Sequence, residues 1–198
     1  KWQVTQGALR NALTGLADST GVGMLYYPNG ATPANMTAGP VNRCVNTGAL
    51  VQTDLLGPAN SPHRQAVLNS LNQARPANYT PTHDAYRYAL ETGLKPFQTM
   101  APKFMLLITD GAPTMSLGCI RPNQGVVDMP TDPIIADIAA AKAAGIKSFI
   151  IGSPGSQMSS ESNTDMRPWL SRAATAGGTA TAGCSDSGPN FCLSLIHI

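Results

Sequence analysis

Two short segments carry oxygen donors placed where an ion could be held. In FMLLITDGAPT, Phe104 to Thr114, an unbroken apolar run ends in Asp110 and Gly111. In NYTPTHDA, Asn78 to Ala85, Thr80 and Thr82 flank Pro81 ahead of a helical pattern. A carboxylate and threonine hydroxyls are hard oxygen ligands. They suit Mg²⁺, which prefers octahedral oxygen coordination, keeps several waters and takes one or two carboxylates from protein. Each segment also has a plain structural account. Thr80 can cap a helix with Pro81 at the first helical position, and Asp110-Gly111 is ordinary turn chemistry. A two-residue hairpin there is disfavoured because no alternating strand follows.

The elements that must position these residues are legible from periodicity. Phe104, Met105, Leu106, Leu107 and Ile108 lack the alternation of a half-wet strand, so they read as a strand buried on both faces of a parallel sheet. Asp110 then falls at its carboxyl end, the rim where open α/β sheets bind ligands. Ile146 to Ile151 reads as a second buried strand, leading into GSPGS at Gly152 to Ser156. Gly21 to Tyr27 is a short strand closed by the turn Pro28-Asn29-Gly30, and Ala49 to Leu56 an edge strand beyond a long loop over 28–50. Helices are predicted over Lys1 to Asp18, with Trp2, Val4, Leu9, Leu13 and Leu16 on one face, and over Ser61 to Arg75. In the second, Ser61 caps, Pro62 takes the first position and Val67, Leu68 and Leu71 face inward. Further helices cover Thr82 to Leu94, Pro133 to Ala144 before Gly145, and Asp165 to Ala176 before Gly177 and Gly178. This alternation implies an α/β fold: right-handed crossovers onto a doubly wound, mostly parallel sheet with helices on both faces.

On these residues the chain resembles the von Willebrand factor type A domains, also called integrin inserted domains. LLITDGAP, Leu106 to Pro113, is similar to the family's fourth strand with its metal-site aspartate. YTPTHDAYRYAL, Tyr79 to Leu90, is similar to its Gly-Gly-Thr-Pro-Thr loop and following helix, with Asn78 and Tyr79 in place of the glycine pair. The resemblance implies a Rossmann-like sheet of order 3-2-1-4-5-6 and a metal-ion-dependent adhesion site in which Thr80 and Asp110 hold Mg²⁺, with Mn²⁺ or Ca²⁺ as alternatives. An acidic side chain of a partner protein would fill the open coordination position. The family's Asp-x-Ser-x-Ser segment has no counterpart. Asp18-Ser19-Thr20 and Ser185-Asp186-Ser187 have the composition without the spacing. The resemblance places the missing segment, with the central first strand, just before Lys1, leaving the sheet split and the site incomplete.

Composition bounds the remaining classes. The chain has 198 residues, 42% hydrophobic and 12% charged, enough for one globular domain. A net charge of +2 without a basic cluster gives no footprint for nucleic acid. No apolar segment reaches the ~20 residues that cross a bilayer. The domain is expected over 1–192. The terminal LSLIHI, 193–198, matches one reading frame of a transposon-type sequencing adaptor and is expected to be a tail, which removes His197 as a ligand candidate. Cys44, Cys119, Cys184 and Cys192 lie in polar sequence without CxxC spacing and read as disulfides. Cys184 with Cys192, closing SDSGPNF, is the first expectation among three pairings, leaving Cys44 with Cys119. This favours an extracellular, cell-surface or periplasmic setting, where the N-x-Thr sequons at Asn35 and Asn78 would also matter.

No enzyme signature rises above this reading. GSPGS lacks the form of a serine-hydrolase elbow and the lysine of a P-loop. His63 and His83 read as solvated, and Tyr86 and Arg87 as helix surface. A metal-dependent binding module is therefore expected rather than an enzyme. The alternatives are a Mg²⁺-dependent phosphohydrolase using Asp110, which Asp54 or Asp128 nearby would favour, and a metal-independent structural domain.

Overall fold

A computed structural model describes residues 2–29, 39–75, 79–121, 126–153, 156–158 and 163–195. Asn35, Asn78, His197 and part of GSPGS lie outside them. The element order is α1 (Trp2–Gly15), β1 (Gly21–Met24), β2 (Val51–Leu55), α2 (Pro62–Gln73), α3 (Thr82–Tyr88), β3 (Lys103–Thr109), α4 (Asp132–Ala143), β4 (Ile146–Gly152), α5 (Arg167–Gly177) and β5 (Ser194–Leu195). Helix α3 runs on into π-helical turns over Ala89–Leu94. Each expected helix is present within a few residues of its sequence bounds.

The strands form two small sheets among the described residues, not one doubly wound sheet. β1 and β2 pair antiparallel, Gly21 opposite Leu55 and Val22 opposite Asp54. β3, β4 and β5 are parallel, with Lys103 to Thr109 registered against Ile146 to Gly152. β5 pairs with the carboxyl end of β4, Ser194 beside Ile151 and Leu195 beside Gly152. β1 and β3, which the family order expects on either side of a central strand, each have a single neighbour.

The expectation that β3 is buried on both faces is corrected. Met105, Leu107 and Thr109 turn inward with Ile146, Ser148 and Ile150 of β4, beneath α3, α4 and α5. Phe104, Leu106 and Phe149 on the opposite face are 49%, 52% and 44% exposed. The helices therefore cover one face of this sheet, and apolar side chains stand uncovered on the other, the rings of Phe104 and Phe149 5.7 Å apart. Close packing on the covered side needs Gly177, where a Cβ would come within 2.5 Å of the Ser148 carbonyl oxygen.

A second core of Leu13, Leu56, Val67 and Leu71 joins α1 and α2 to the β1–β2 hairpin. Ser61 caps α2 as its sequence promised, its hydroxyl accepting from the Arg64 amide and donating to the Leu56 carbonyl. Arg64, 4% exposed, spreads its guanidinium over the carbonyls of Leu13, Leu16 and Gly57 and the Asp18 carboxylate. It thereby satisfies acceptors that the end of α1 would leave unpaired. The expected apolar face of α1 is less buried than its pattern suggests, with Val4 43% and Leu16 39% exposed. The helix meets α2 partly through polar contacts, Gln6 and Arg10 donating to the Leu71 and Leu68 carbonyls.

The two faces of β3 should respond differently to substitution. Leu107→Ala is expected to cost about 2–5 kcal/mol by cavity formation, and Leu106→Gln less than about 1 kcal/mol. Urea unfolding of the two variants tests this. Similar losses would mean that the outer face is covered in solution.

Candidate metal centre

Asp110 stands exposed immediately beyond β3, and Thr80 is half-buried just ahead of α3. The plain account of Thr80 as the helix cap does not hold. Pro81 occupies the cap position and Thr82 begins the helix. Thr80 instead bonds across to the loop that follows Asp110. Its amide donates to Thr114 Oγ1 at 2.8 Å, and the Thr114 amide donates back to the Thr80 carbonyl at 3.0 Å. This reciprocal pair joins the two loops expected to supply metal ligands.

The side chains at the junction are available for coordination. Neither the Thr80 hydroxyl nor the Asp110 carboxylate has a hydrogen-bond or ion-pair partner among the described residues. Thr82, fully buried, also holds its Oγ1 away from solvent with no hydrogen bond. Oxygen donors left unpaired at a sheet's carboxyl edge fit a hard cation. Thr80 and Asp110 make no hydrogen bond to each other.

Beneath them lies Tyr27. Its hydroxyl donates to the Ile108 carbonyl at 3.3 Å and sits beside the hydroxyls of Thr109 and Thr82. The residue as a whole is half-buried, whereas its hydroxyl end is enclosed. Burial pushes this phenol from 10.0 up to about 12; the neighbouring threonine hydroxyls pull the other way, and the Asp110 charge adds to the rise.

The rim loops are braced from a third side. Asp84, 5% exposed in the first turn of α3, accepts from the amides of Gly118 at 2.9 Å and Cys119 at 3.0 Å. Cys119 is bonded to Cys44, and Cys184 to Cys192, the pairing expected from sequence. The Cys44, Cys119 and Asp84 ligand atoms lie within 4.8 Å of one another. This cluster is nevertheless a structural clamp, because disulfide sulfurs are not thiolates and both carboxylate oxygens are occupied. The Met129 amide closes the loop by donating to the Pro113 carbonyl at 2.7 Å.

Several side chains are placed otherwise than the sequence indicated. His83 is not solvated: it is 8% exposed, with Nε2 2.6 Å from Asp137 Oδ2 on α4. His63 is half-buried against the Val22 carbonyl at 2.7 Å. Tyr86 is core, 2% exposed and bonded to Ser148 Oγ at 2.8 Å, whereas Arg87 does lie on the surface. Asp54 sits exposed on β2 with an oxygen accepting from the Leu55 amide, and Asp128 lies in the loop before α4. No group of three His, Cys, Asp or Glu ligand atoms includes Asp110 among the described residues. Sequence reasoning missed Tyr27, Asp84 and Thr114 as braces of the rim. The acid in the first turn of α3 and the threonine ending ITDGAPT were the available signals.

No protein-family model and no curated protein matches the chain. Solved structures do. The open conformation of the pilus adhesin SpaC from Lactobacillus rhamnosus GG matches with a TM-score of 0.65 and 15% identity, over 100% of this chain and 26% of that one. Proximal thread matrix protein 1 of the mussel byssus matches with a TM-score of 0.53 and 12% identity, over 88% of this chain and 36% of its own. A form of that protein described as having a zinc-occupied MIDAS motif matches at 0.52 and 11%. The chain thus spans from about a quarter to just over a third of the length of these proteins. At such identities the likeness is one of fold, and the neighbours are adhesion and matrix proteins.

The enclosed phenol makes a pH prediction. Because folding favours protonated Tyr27, its contribution to stability is whole below pH 10.0 and is lost as pH rises through about 12. Burial raises Tyr26 and Tyr86 as well, so Tyr27→Phe should flatten only part of the alkaline fall. Unfolding of metal-free protein across that range measures it; an unchanged slope in the variant would contradict the enclosure.

Proposed function

We propose that this chain is a metal-dependent protein-binding module of adhesion type, in which Thr80 and Asp110 hold a divalent cation. Mg²⁺ is the expected ion, with Mn²⁺ or Ca²⁺ able to replace it at oxygen ligands. An acidic side chain of a partner protein completes the coordination. The reciprocal Thr80–Thr114 bonding carries this reading, because it fastens the threonine loop to the aspartate loop while leaving both ligand side chains unpaired. The likeness in fold to a pilus adhesin and a byssus matrix protein supports it.

The two disulfides suit an extracellular or otherwise oxidising setting. Among the described residues no helix is long and apolar enough to cross a membrane. Binding rather than turnover fits a carboxylate that no triad of ionisable ligands surrounds among those residues. On this reading the family's remaining ligands come from an Asp-x-Ser-x-Ser segment, so the site within residues 1–198 is weak.

Mn²⁺ titration followed by water-proton relaxation tests the assignment. A dissociation constant on the order of millimolar is expected, with Asp110→Ala weakening it at least about tenfold and Thr80→Ala severalfold. Asp110 is exposed, so its variant should unfold within about 0.5 kcal/mol of the parent. Equal Mn²⁺ affinity in all three proteins would refute the site.

A further inference from the structure

Tyr26 and Tyr27 leave β1 in opposite directions, as successive residues of an extended chain do. Tyr26 turns to the first sheet's own core, its hydroxyl 2.9 Å from Ser70 Oγ of α2. Tyr27 turns toward the second sheet and packs against both the core beneath β3 and the cluster around Cys44 and Cys119. Its hydroxyl reaches the Ile108 carbonyl of β3, 81 residues away. Thr109 directs its own carbonyl to the Ser153 amide beyond β4. The Ile108 carbonyl therefore faces the other edge of β3, with which no strand pairs among the described residues.

Both loops expected to hold the cation are rooted at this phenol. On one side lies Thr109, next to Asp110. Its Oγ1 accepts from the Gly111 amide at 3.4 Å and donates to the Gly111 carbonyl at 3.2 Å, and so closes the turn on which Asp110 sits. On the other side lies Thr82, two residues after Thr80, with a fully buried Oγ1 that makes no hydrogen bond among the described residues. The Tyr27 hydroxyl is beside both. A phenol has one donor and can accept as well. With the donor spent on Ile108, its oxygen is still open to the Thr82 hydroxyl, the unpartnered group at its side. Phenylalanine would keep the packing of the ring and lose these polar contacts.

We propose that Tyr27 is a positioning residue of the cation site, holding from the first sheet both the turn that presents Asp110 and the start of the helix behind Thr80. This rests on the metal-site reading for the ion itself. It goes beyond that reading by linking the ion to the seam between the two sheets, since a contact that favours the ion-binding arrangement is in turn favoured by the ion. Asp110 and Thr80 remain the groups that meet the cation, and Tyr27 acts through Thr109 and Thr82.

Two measurements test this. Mn²⁺ affinity is read by water-proton relaxation on the parent and on Tyr27→Phe, Tyr26→Phe and Asp110→Ala. The Cζ carbon resonances of isotope-labelled tyrosine are followed as Mg²⁺ is added to the parent and to Asp110→Ala. Tyr27→Phe should weaken Mn²⁺ binding about fivefold. Tyr26→Phe, which loses a hydroxyl contact of the same kind on the other face, should leave it unchanged. Mg²⁺ should move the Tyr27 signal and not that of Tyr26, and in Asp110→Ala it should move neither. Equal Mn²⁺ affinity in the parent and Tyr27→Phe overturns the inference. Equal losses in the two Phe variants do so as well, because they reduce the effect to general loosening. Asp110→Ala judges the metal site separately. The resonance measurement uses the unsubstituted chain, so it decides the case even if Tyr27→Phe does not fold: a Tyr27 signal unmoved at saturating Mg²⁺ overturns the proposal. A parent that takes up no Mn²⁺ ends both readings.

Discussion

The rim of this fold depends on two hydrogen bonds exchanged between Thr80 and Thr114. They tie the loop entering α3 to the loop leaving β3, one belonging to the helical layer and the other to the sheet, next to the tie that Asp84 makes to Gly118 and Cys119. The pair is nearly independent of side-chain identity on the Thr80 side, where amide and carbonyl do the bonding. That frees the Thr80 hydroxyl. Asp84 and the Cys44–Cys119 bond extend the same frame sideways, tethering the connection at Gly118 and Cys119. Backbone amides meet the Thr114 hydroxyl and the Asp84 carboxylate in these ties, and the Thr80 hydroxyl and Asp110 carboxylate stay outside them.

What could be read from the chain divides along the range of the interactions involved. Helix boundaries set by Ser61-Pro62, by Gly145 and by the Gly177-Gly178 pair were legible, because caps and left-handed residues act within a turn. Asp110 at a strand's carboxyl end was legible for the same reason. The environment of His83 and Tyr86 was not, since Asp137 and Ser148, which receive them, lie 54 and 62 residues away. Thr80 is an instructive miss: its local sequence fits a cap, yet a partner 34 residues distant uses its amide.

β3 shows a different gap between pattern and environment. Its apolar run correctly marks a strand in a parallel sheet, and its inner face meets three helical segments. The same run indicates burial on the outer face, where Phe104 and Leu106 remain exposed. Hydrophobicity records the surroundings a segment is suited to, whereas exposure records the neighbours that this chain provides. The division of the strands into two sheets has the same origin, since β1 and β3 each have one partner.

The uncovered side of β3 also governs how the polypeptide behaves in concentrated solution. KFMLLIT joins strong β-propensity to low charge and contains no proline, and among the described residues no strand pairs with its second edge. Such an edge is a template on which identical segments stack into cross-β ladders. Lys147, exposed opposite Phe104, is the charge on this face placed to repel that growth. Salt that screens this ammonium should therefore shorten the colloidal lifetime of the polypeptide.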